Sequence, residues 1–446
     1  MKRLVETIKN IWAIEELRDK ILLTLGLLLI YRLGSNVVLP GINTDSLAQL
    51  QSQSSSGLLG ILNAFTGGAF ANASILALGI MPYISASIVI QLLGMAVPSV
   101  QKMQKEGESG RRKLNQITRL LTIGITAAQA PGYIANLMNQ NVAISMPPQL
   151  FWITSIIVLV AGTVFAMWLG ERITDKGIGN GISLLIMVGI IASLPQAFLQ
   201  ELVSKFEQEG GGLVLFVVEI TALLIVILLA VALVQAVRRV PVQYAKRASS
   251  GRALEGSMAR QYIPLKVNAS GVMPIIFAQA IMFIPITVLS YSGLESGNAS
   301  WLVSMFSNIQ GFGYNLFFAI LIILFTYFYT AIQVNTNQMA EDLKRSGGFI
   351  PGIKPGKPTA EFLDTVLSRI TLPGSIFLAG LAVLPAFAMA ADVNTQFAYF
   401  YGGTSLLIMV GVVLDTLQQI ESYLLNRHYD GLMKSGKLKG RTVSAF

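Results

Sequence analysis

The sequence predicts an all-α integral membrane protein with ten transmembrane helices. Of its 446 residues, 53% are hydrophobic and only 12% are charged, whereas about a quarter of the residues in an ordinary soluble domain are charged. Long apolar runs recur along the whole chain, and about 20 helical residues are needed to cross a hydrocarbon core about 30 Å thick. Basic residues are spread unevenly over the connections, which is typical of a multi-pass protein.

Ten segments are long and apolar enough to span a membrane. They cover residues 21–39, 73–97, 120–138, 150–169, 182–200, 213–236, 271–290, 314–334, 370–389 and 401–420. The first does not resemble a cleavable signal peptide, because no small-residue cleavage site follows it and nine further spans do. No separate soluble domain is predicted.

The basic residues predict the orientation. When the connections are assigned alternately to two sides, 30 of the 32 lysines and arginines fall on the side of the N-terminus, and only Arg32 and Lys205 fall on the other. The positive-inside rule then places both termini in the cytoplasm. Five spans in each half make the halves opposite in orientation, as in an inverted repeat. We therefore expect halves at 1–200 and 213–420, a hinge at 201–212 and a cytoplasmic tail at 421–446.

Two long cytoplasmic connections are predicted to protrude as ordered elements. Residues 240–246 and 261–267 alternate apolar and polar side chains, which favours two short strands of a hairpin. Residues 345–364 contain Pro-Gly pairs typical of tight turns. Loops of this length are uncommon unless they are functional, so partner binding is favoured over the alternative of ordinary solvated loops.

Six motifs in these spans and connections point to one family. They are ALGIMPYISASIVIQLL (77–93), GERITDKGIGNGIS (170–183), VRRVPVQYAKR (237–247), QYIPLKVN (261–268), RSGGFIPGIKPGKPTAEFLD (345–364) and YFYGGTSLLIMVGVVLD (399–415). In this order they resemble the SecY family, the membrane pore of the general protein-secretion pathway. The resemblance implies a channel that passes unfolded preproteins across the membrane and releases membrane helices sideways into it.

The same resemblance implies the partners and the location. The expected partners are SecE, which clamps the two halves, SecG, the SecA ATPase and the ribosome, and the substrate is an unfolded polypeptide with a signal sequence. The expected location is the bacterial plasma (inner) membrane. Energy would come from the motor or from translation, because the sequence contains no nucleotide-binding motif.

The resemblance also implies a ring of apolar side chains at the narrowest part of the pore. An apolar ring excludes water and ions by dewetting and binds no substrate tightly. Ile80 and Ile84 are four residues apart and therefore share one helix face. The other ring positions rest on the resemblance alone, since the sequence by itself would fit lipid-facing or core packing equally well: Ile186, Ile276 and Ile408.

Residues 57–70, GLLGILNAFTGGAF, are apolar but only about half as long as a span. Such a segment must re-enter the membrane or lie at its surface, and the resemblance implies that it is the plug of the closed channel. Gly60, Gly67 and Gly68 are expected to loosen a short helix. The alternative is an interfacial helix that stays in place. The plug residues by resemblance are Leu58, Leu59, Ile61, Leu62 and Phe65.

Two further sets of residues follow from the resemblance. The lateral gate opens between the second and third and the seventh and eighth spans, and the candidate polar latch is Ser87, Gln91 and Gln279, although such residues also serve as plain interhelical hydrogen-bond partners. The candidates for docking the motor or the ribosome are Arg111, Arg112, Arg238, Arg239, Lys246, Arg247 and Lys354. The family usually carries Arg where this chain has Lys354, and lysine lacks the planar fork of arginine.

A secondary solute transporter is the alternative from another class, because inverted repeats are equally its signature. Transporters, however, commonly place ionisable groups at mid-membrane, and here only Arg32, Glu219 and Asp415 fall inside spans. No role is predicted for Glu219.

Catalysis, metals and cofactors are not expected. The chain has no cysteine, and its single histidine, His428, lies in the tail, which excludes the usual nucleophilic pairs within the membrane. The segment GIGNG (177–181) lacks the strand and the GK[ST] of a phosphate-binding loop, and we expect it to form a tight turn before the fifth span.

Overall fold

The computed structural model describes residues 14–43, 66–139, 144–207, 212–244, 261–292 and 310–434, together with Trp12 and Asn63. In chain order its elements are α1 (Glu15–Gly34), α2 (Met81–Ala96), α3 (Pro98–Lys105), α4 (Glu108–Asn139), α5 (Pro148–Lys176), α6 (Gly181–Glu207), α7 (Gly212–Gln235), β1 (Val237–Tyr244), β2 (Gln261–Lys266), α8 (Met273–Ser292), α9 (Phe312–Gln333), α10 (Thr336–Arg345), β3 (Gly348–Phe349), α11 (Lys357–Ala390), α12 (Thr395–Ala398) and α13 (Gly403–Lys434).

The helical membrane architecture is confirmed. Each of the ten predicted spans overlaps one of these helices. Within the described residues, six helical stretches are long and apolar enough to cross a membrane by themselves, and α2 with α3 forms a bent pair that makes a seventh. The bend between α2 and α3 is 103° and lies immediately before Pro98, which cannot continue the hydrogen bonding of α2.

The second span is shorter than the sequence predicted. We expected a helix from residue 73, but α2 begins at Met81. Ala73 has a φ of +45° and Gly79 a φ of +52°, and neither value is helical. The Ala73 carbonyl accepts from the Leu39 amide at 2.8 Å, so the backbone here pairs with the extended segment after α1.

The chain divides into two compact units, Met1–Gln196 with Val412–Phe446, and Ala197–Gly411. The predicted halves at 1–200 and 213–420 are defined by repeat symmetry, not by compactness, and stay a prediction. Within the described residues, α6 continues to Glu207, which lies well inside the predicted hinge. Of that hinge, residues 208–211 lie outside the described residues.

The first unit has its core where α4 and α5 pack on the turns after α1. The buried side chains include Leu39, Tyr133, Ile134, Phe151 and Leu159. Gly162 on α5 makes the close approach possible, because a Cβ there would lie 2.0 Å from the carbonyl oxygen of Ile75. The turns at 66–80 are therefore built into the core of this unit.

In the same unit, α1 and α13 meet at a polar contact. Lys20 donates to the Tyr423 hydroxyl at 2.9 Å and pairs with Glu16 at 3.1 Å. The hydrogen bond to Tyr423, followed by that to Glu16, raises the pKa of Lys20. The ammonium therefore stays charged at physiological pH.

The two long connections of the second unit form one small folded module. Strands β1 and β2 pair antiparallel, with Arg238 opposite Leu265, and β3 pairs with the end of β1 in the order β2-β1-β3. The predicted hairpin strands are thus confirmed. One face of the sheet packs on α10 and α11 through an apolar cluster of Val240, Val242, Leu265, Leu343, Ile350, Leu363 and Leu367. We call the sheet with α10 and residues 346–356 the basic module.

Candidate functional site

The predicted ring residues are divided between the two units. Ile80 and Ile84 lie at the start of α2, where the Ile84 amide donates to the Ile80 carbonyl at 3.1 Å, so their side chains stand one turn apart on one face. Both are buried, as is Ile186 on α6. In the other unit, Ile408 on α13 is buried and Ile276 on α8 is half-buried. Their meeting in one ring stays a prediction.

The five predicted plug residues Leu58, Leu59, Ile61, Leu62 and Phe65 lie outside the described residues. The end of the predicted plug segment is described, and it is turned rather than helical: Gly67 and Gly68 have φ values of +64° and +89°. Gly67 and Gly68 therefore belong to a turn, whereas Gly60 and most of the segment expected to form the short helix lie outside the described residues. Gly67 and Gly68 permit a turn that L-residues with side chains adopt only under strain.

That turn is held by the first helix. The guanidinium of Arg32 on α1 donates to the Gly67 carbonyl and, at 3.3 Å, to the Ser35 hydroxyl. A Cβ on Gly67 would lie 2.6 Å from the Cα of Gly189 on α6. Arg32 thus fixes the end of the predicted plug segment. The sequence did not predict this role, although Arg32 stood out as a charge inside a span.

A third helix also holds this segment. The Tyr133 hydroxyl on α4 donates to the Phe70 carbonyl at 2.9 Å, and the two rings meet edge to face with centroids 4.8 Å apart. Three helices, α1, α4 and α6, therefore position residues 67–70.

The candidate latch residues have different surroundings. On α2, Gln91 donates to the Ser87 hydroxyl at 3.4 Å, so these two residues pair with each other. On α8, Gln279 is buried, and within the part of the chain that the structure describes its Oε1 has no hydrogen-bond partner. A buried carbonyl oxygen without a donor lowers the stability of the fold. Of the three latch candidates, Gln279 is therefore the one whose polar side chain packing explains least. The lateral gate itself stays a prediction.

The turn at 177–181 forms as predicted. Gly179 has a φ of +80°, and Asn180 accepts from the Ser183 amide at the start of α6. The amide of residue 178 donates to Thr24 and that of Gly179 donates to Gln419. Side chains from α1 and α13 therefore occupy the amides that a phosphate-binding loop would offer to its ligand.

The basic module exposes its candidate docking residues to water. Arg238 and Arg239 on β1 are exposed, as is Lys354 in the Pro-Gly turns. The Lys354 carbonyl accepts from the Thr359 hydroxyl at 2.9 Å, which fixes the backbone while the ammonium stays free to reach a partner. Two further candidates, Lys246 and Arg247, lie outside the described residues.

The other basic candidates lie at the start of α4. Arg111 and Arg112 are exposed, and Arg112 pairs with Glu108 at 2.6 Å one turn earlier. Exposed pairs of this kind contribute little to stability. Both arginines are therefore available to a partner.

A buried ionic cluster lies in the second unit and was not predicted. Lys205 on α6 is 3.0 Å from Glu219 Oε1 and 3.5 Å from Glu201 Oε1. It also donates to the Asp392 carbonyl at 3.0 Å, while Glu201 Oε2 accepts from the Asn394 amide at 2.9 Å. Glu201 and Lys205 are almost completely buried. The cluster fastens α6 and α7 to the connection before α12.

The ionic cluster explains Glu219, for which the sequence offered no role. The available signal was its position, because a carboxylate inside an apolar span requires a partner. The sequence did not identify Lys205 as that partner, because Lys205 lies outside the predicted fifth span. In the structure it lies on the last turns of α6.

Comparison with known proteins agrees with this architecture. The family model named SecY matches residues 74–417. Protein translocase subunit SecY of Bacillus subtilis is 42% identical over 437 residues, which cover 96% of this chain and 100% of the relative. The subunit of the same name from Streptomyces scabiei is 41% identical over 432 residues, 94% of this chain and 97% of the relative.

Solved structures share the fold. A structure described as a protein conducting channel is similar with a TM-score of 0.63 at 19% identity, covering 90% of this chain and 91% of that chain. Sec61 in a canine ribosome-channel complex is similar with a TM-score of 0.58 at 18% identity, with the same coverage. By the family match and the near full-length identity to its relatives, the chain belongs to the SecY family.

Proposed function

We propose that the chain forms a protein-conducting channel, which passes unfolded preproteins across the membrane and releases membrane helices sideways into the lipid. The observation that carries this proposal is the near full-length similarity, at 40% identity or more, to relatives named as translocase subunits. The shared fold with solved protein-conducting channels supports it. The ring, the plug and the lateral gate are the parts through which the channel would act.

The solute-transporter alternative is not favoured. Arg32 and Glu219, two of the three ionisable residues in predicted spans, bind other groups of the chain. The third, Asp415, lies exposed near the end of the tenth span. Mid-membrane charges in transporters usually serve a substrate or a coupling ion, whereas Arg32 and Glu219 serve to position the chain.

The proposed partners are SecE, SecG, the SecA motor and the ribosome. The relatives are named as subunits, which supports an assembly, and related folds occur in ribosome complexes from dog and yeast. The basic module supplies exposed arginines for such contacts, and the ribosome offers a phosphate backbone that attracts them. The chain itself performs no catalysis in this proposal, and the external motor or translation supplies the energy.

The proposed location is the bacterial plasma membrane with both termini in the cytoplasm. The asymmetry of the basic residues supports this orientation, and the exposed basic module would then face the partners named above.

Reconstitution tests the proposal. Proteoliposomes containing the chain with its SecE-type and SecG-type partners should, with the motor and ATP, accumulate a preprotein protected from added protease. Vesicles without the chain provide the baseline. Uptake of a small solute driven by an ion gradient, without preprotein import, would instead establish the transporter alternative.

A further inference from the structure

The ionic cluster formed by Glu201, Lys205 and Glu219 has unequal charge. Two carboxylates face one ammonium, so the cluster carries a net charge of −1 if all three groups are ionised. Glu201 and Lys205 are 0% and 3% exposed, and Glu219 is 9% exposed. Little water can therefore reach the extra charge, and an uncompensated buried charge is strongly unfavourable.

The ammonium cannot compensate both carboxylates. Lysine has three N–H donors, and those of Lys205 face the Asp392 carbonyl, Glu219 Oε1 and, more distantly, Glu201 Oε1. Two buried carboxyl oxygens, Glu201 Oε1 and Glu219 Oε2, still have no hydrogen-bond partner among the described residues. The cluster thus lacks both a positive charge and a donor.

One proton bound by the carboxyl groups would supply both. Lys205 Nζ lies 3.0 Å from a carboxyl oxygen of Glu219 and 3.5 Å from a carboxyl oxygen of Glu201, so the two carboxyl groups share one buried ammonium. Two ionised carboxylates can only accept hydrogen bonds, whereas a proton on one of them supplies the missing donor. Like-charged carboxyl groups that share a buried site hold a proton for this reason.

We propose that the Glu201–Glu219 pair binds one proton at neutral pH. The proton comes from water and forms one O–H bond on a carboxyl oxygen, and no bond to carbon changes. The cluster then consists of one carboxylic acid, one carboxylate and one ammonium, with a net charge of zero. The proton belongs to the pair as a whole.

The groups around the pair fit a neutral site. Among the described residues, the titratable side chains that act on the pair are Lys205 from α6 and Tyr401 from the segment before α13. Asp392 contributes only its carbonyl oxygen, and its side chain is exposed. The buried Tyr401 hydroxyl has no hydrogen-bond partner among the residues that the structure describes. The proposal holds independently of what the channel conducts.

Infrared spectroscopy of the purified complex in lipid nanodiscs, with carboxyl-labelled glutamate, tests the proposal directly. The folded protein at neutral pH should show the carbonyl band of a protonated, buried glutamic acid, and Glu219→Gln or Glu201→Gln should remove it. Glu171→Gln is the matched control, because Glu171 pairs with Arg119 at 2.7 Å outside the cluster, and this change should leave the band in place. Absence of the band from the unsubstituted protein would overturn the proposal, and this readout does not depend on any variant folding.

Stability gives a second readout. The folded pair retains a proton that the unfolded chain releases, so this contribution to stability falls as pH rises. Glu219→Gln carries an amide in place of the protonated acid and should flatten that part of the pH dependence while keeping neutral-pH stability. A Glu219→Gln protein that is less stable at neutral pH and keeps the full pH slope would contradict the shared proton.

Discussion

Charge is used in opposite ways in two regions of the second unit. In the basic module, Arg238, Arg239 and Lys354 are exposed on a sheet and turns whose own packing is apolar. In the ionic cluster, Lys205 and Glu201 are buried and bind the backbone as well as each other. Removing a charge from the first region should leave the stability of the fold unchanged, whereas removing the ammonium from the second should lower it.

The difference shows what an ionic residue does in this membrane protein. A solvated charge contributes little to stability and is available to attract a partner. A buried charge is retained only where other groups compensate it, and then it fixes the segments that supply those groups. Exposure therefore separates residues that act in docking from those that hold the fold.

The largest expected effect is that of Lys205→Met. It removes the only cation of the ionic cluster and leaves two buried carboxyl groups, and breaking a buried pair costs about 3–5 kcal/mol. Thermal unfolding in nanodiscs should show a large loss of stability. Arg112→Met removes an exposed pair of similar sequence spacing and should change little. Equal effects of the two substitutions would contradict the proposed difference between buried and exposed charges.

Gly67→Ala should have the next largest effect. The new Cβ would lie 2.6 Å from the Gly189 backbone at a position with φ +64°, so the turn held by Arg32 must shift, at a cost of about 2 kcal/mol. Gly68→Ala is the control, because its φ is also positive but its nearest neighbour is 3.8 Å away. It should cost about 1 kcal/mol from backbone strain alone.

Unfolding temperatures of the two glycine variants measure this difference. If Gly68→Ala proves as harmful as Gly67→Ala, the close approach of the turn to α6 does not determine its stability.

The double substitution Arg238→Ala with Arg239→Ala should leave stability unchanged, because both side chains are exposed. Binding to ribosomes should weaken about tenfold at low salt and less at high salt, since the contribution is electrostatic. Sedimentation with ribosomes over a salt series measures it. Unchanged binding would show that these two arginines are not part of the docking surface.

The smallest expected effect is that of Lys354→Arg, which restores the residue usual in the family by resemblance. The exposed position predicts no change in unfolding temperature. An arginine fork can form two parallel hydrogen bonds with a phosphate or a carboxylate, so docking should strengthen by a factor of about two to five. Motor-stimulated export measured beside ribosome binding shows which partner benefits, and a weaker interaction with both would contradict a bidentate contact here.

Most of the fold could be predicted because hydropathy and length determine a membrane helix almost locally. All ten predicted spans overlap helices, and the alternation at 240–246 correctly predicted a strand. The start of the second span was wrong, because residues 73–80 are apolar enough to span but their backbone pairs with residues after α1. Hydropathy does not register such long-range pairing.

The candidate site was less predictable. The exposure of Arg238 is the usual state of an arginine side chain. By contrast, the contacts of Arg32 with Gly67 and of Lys205 with Glu219 join residues on different elements. The sequence showed Arg32, Lys205 and Glu219 as unusual charged residues within or beside apolar spans, but it did not show which groups they contact. Ring and latch assignments rest on resemblance, since isoleucine at a helical position is equally common in ordinary packing.

The central proposal, that a polypeptide passes through this chain, is tested most directly by crosslinking, which the natural absence of cysteine allows. A single cysteine is placed at Ile84 or Ile276, a second in a stalled preprotein, and disulfide formation is measured in energised vesicles. We expect a crosslink at both positions and none at Leu215, an exposed position on the apolar helix α7. A stalled, export-competent preprotein that crosslinks to neither isoleucine would contradict the proposed path.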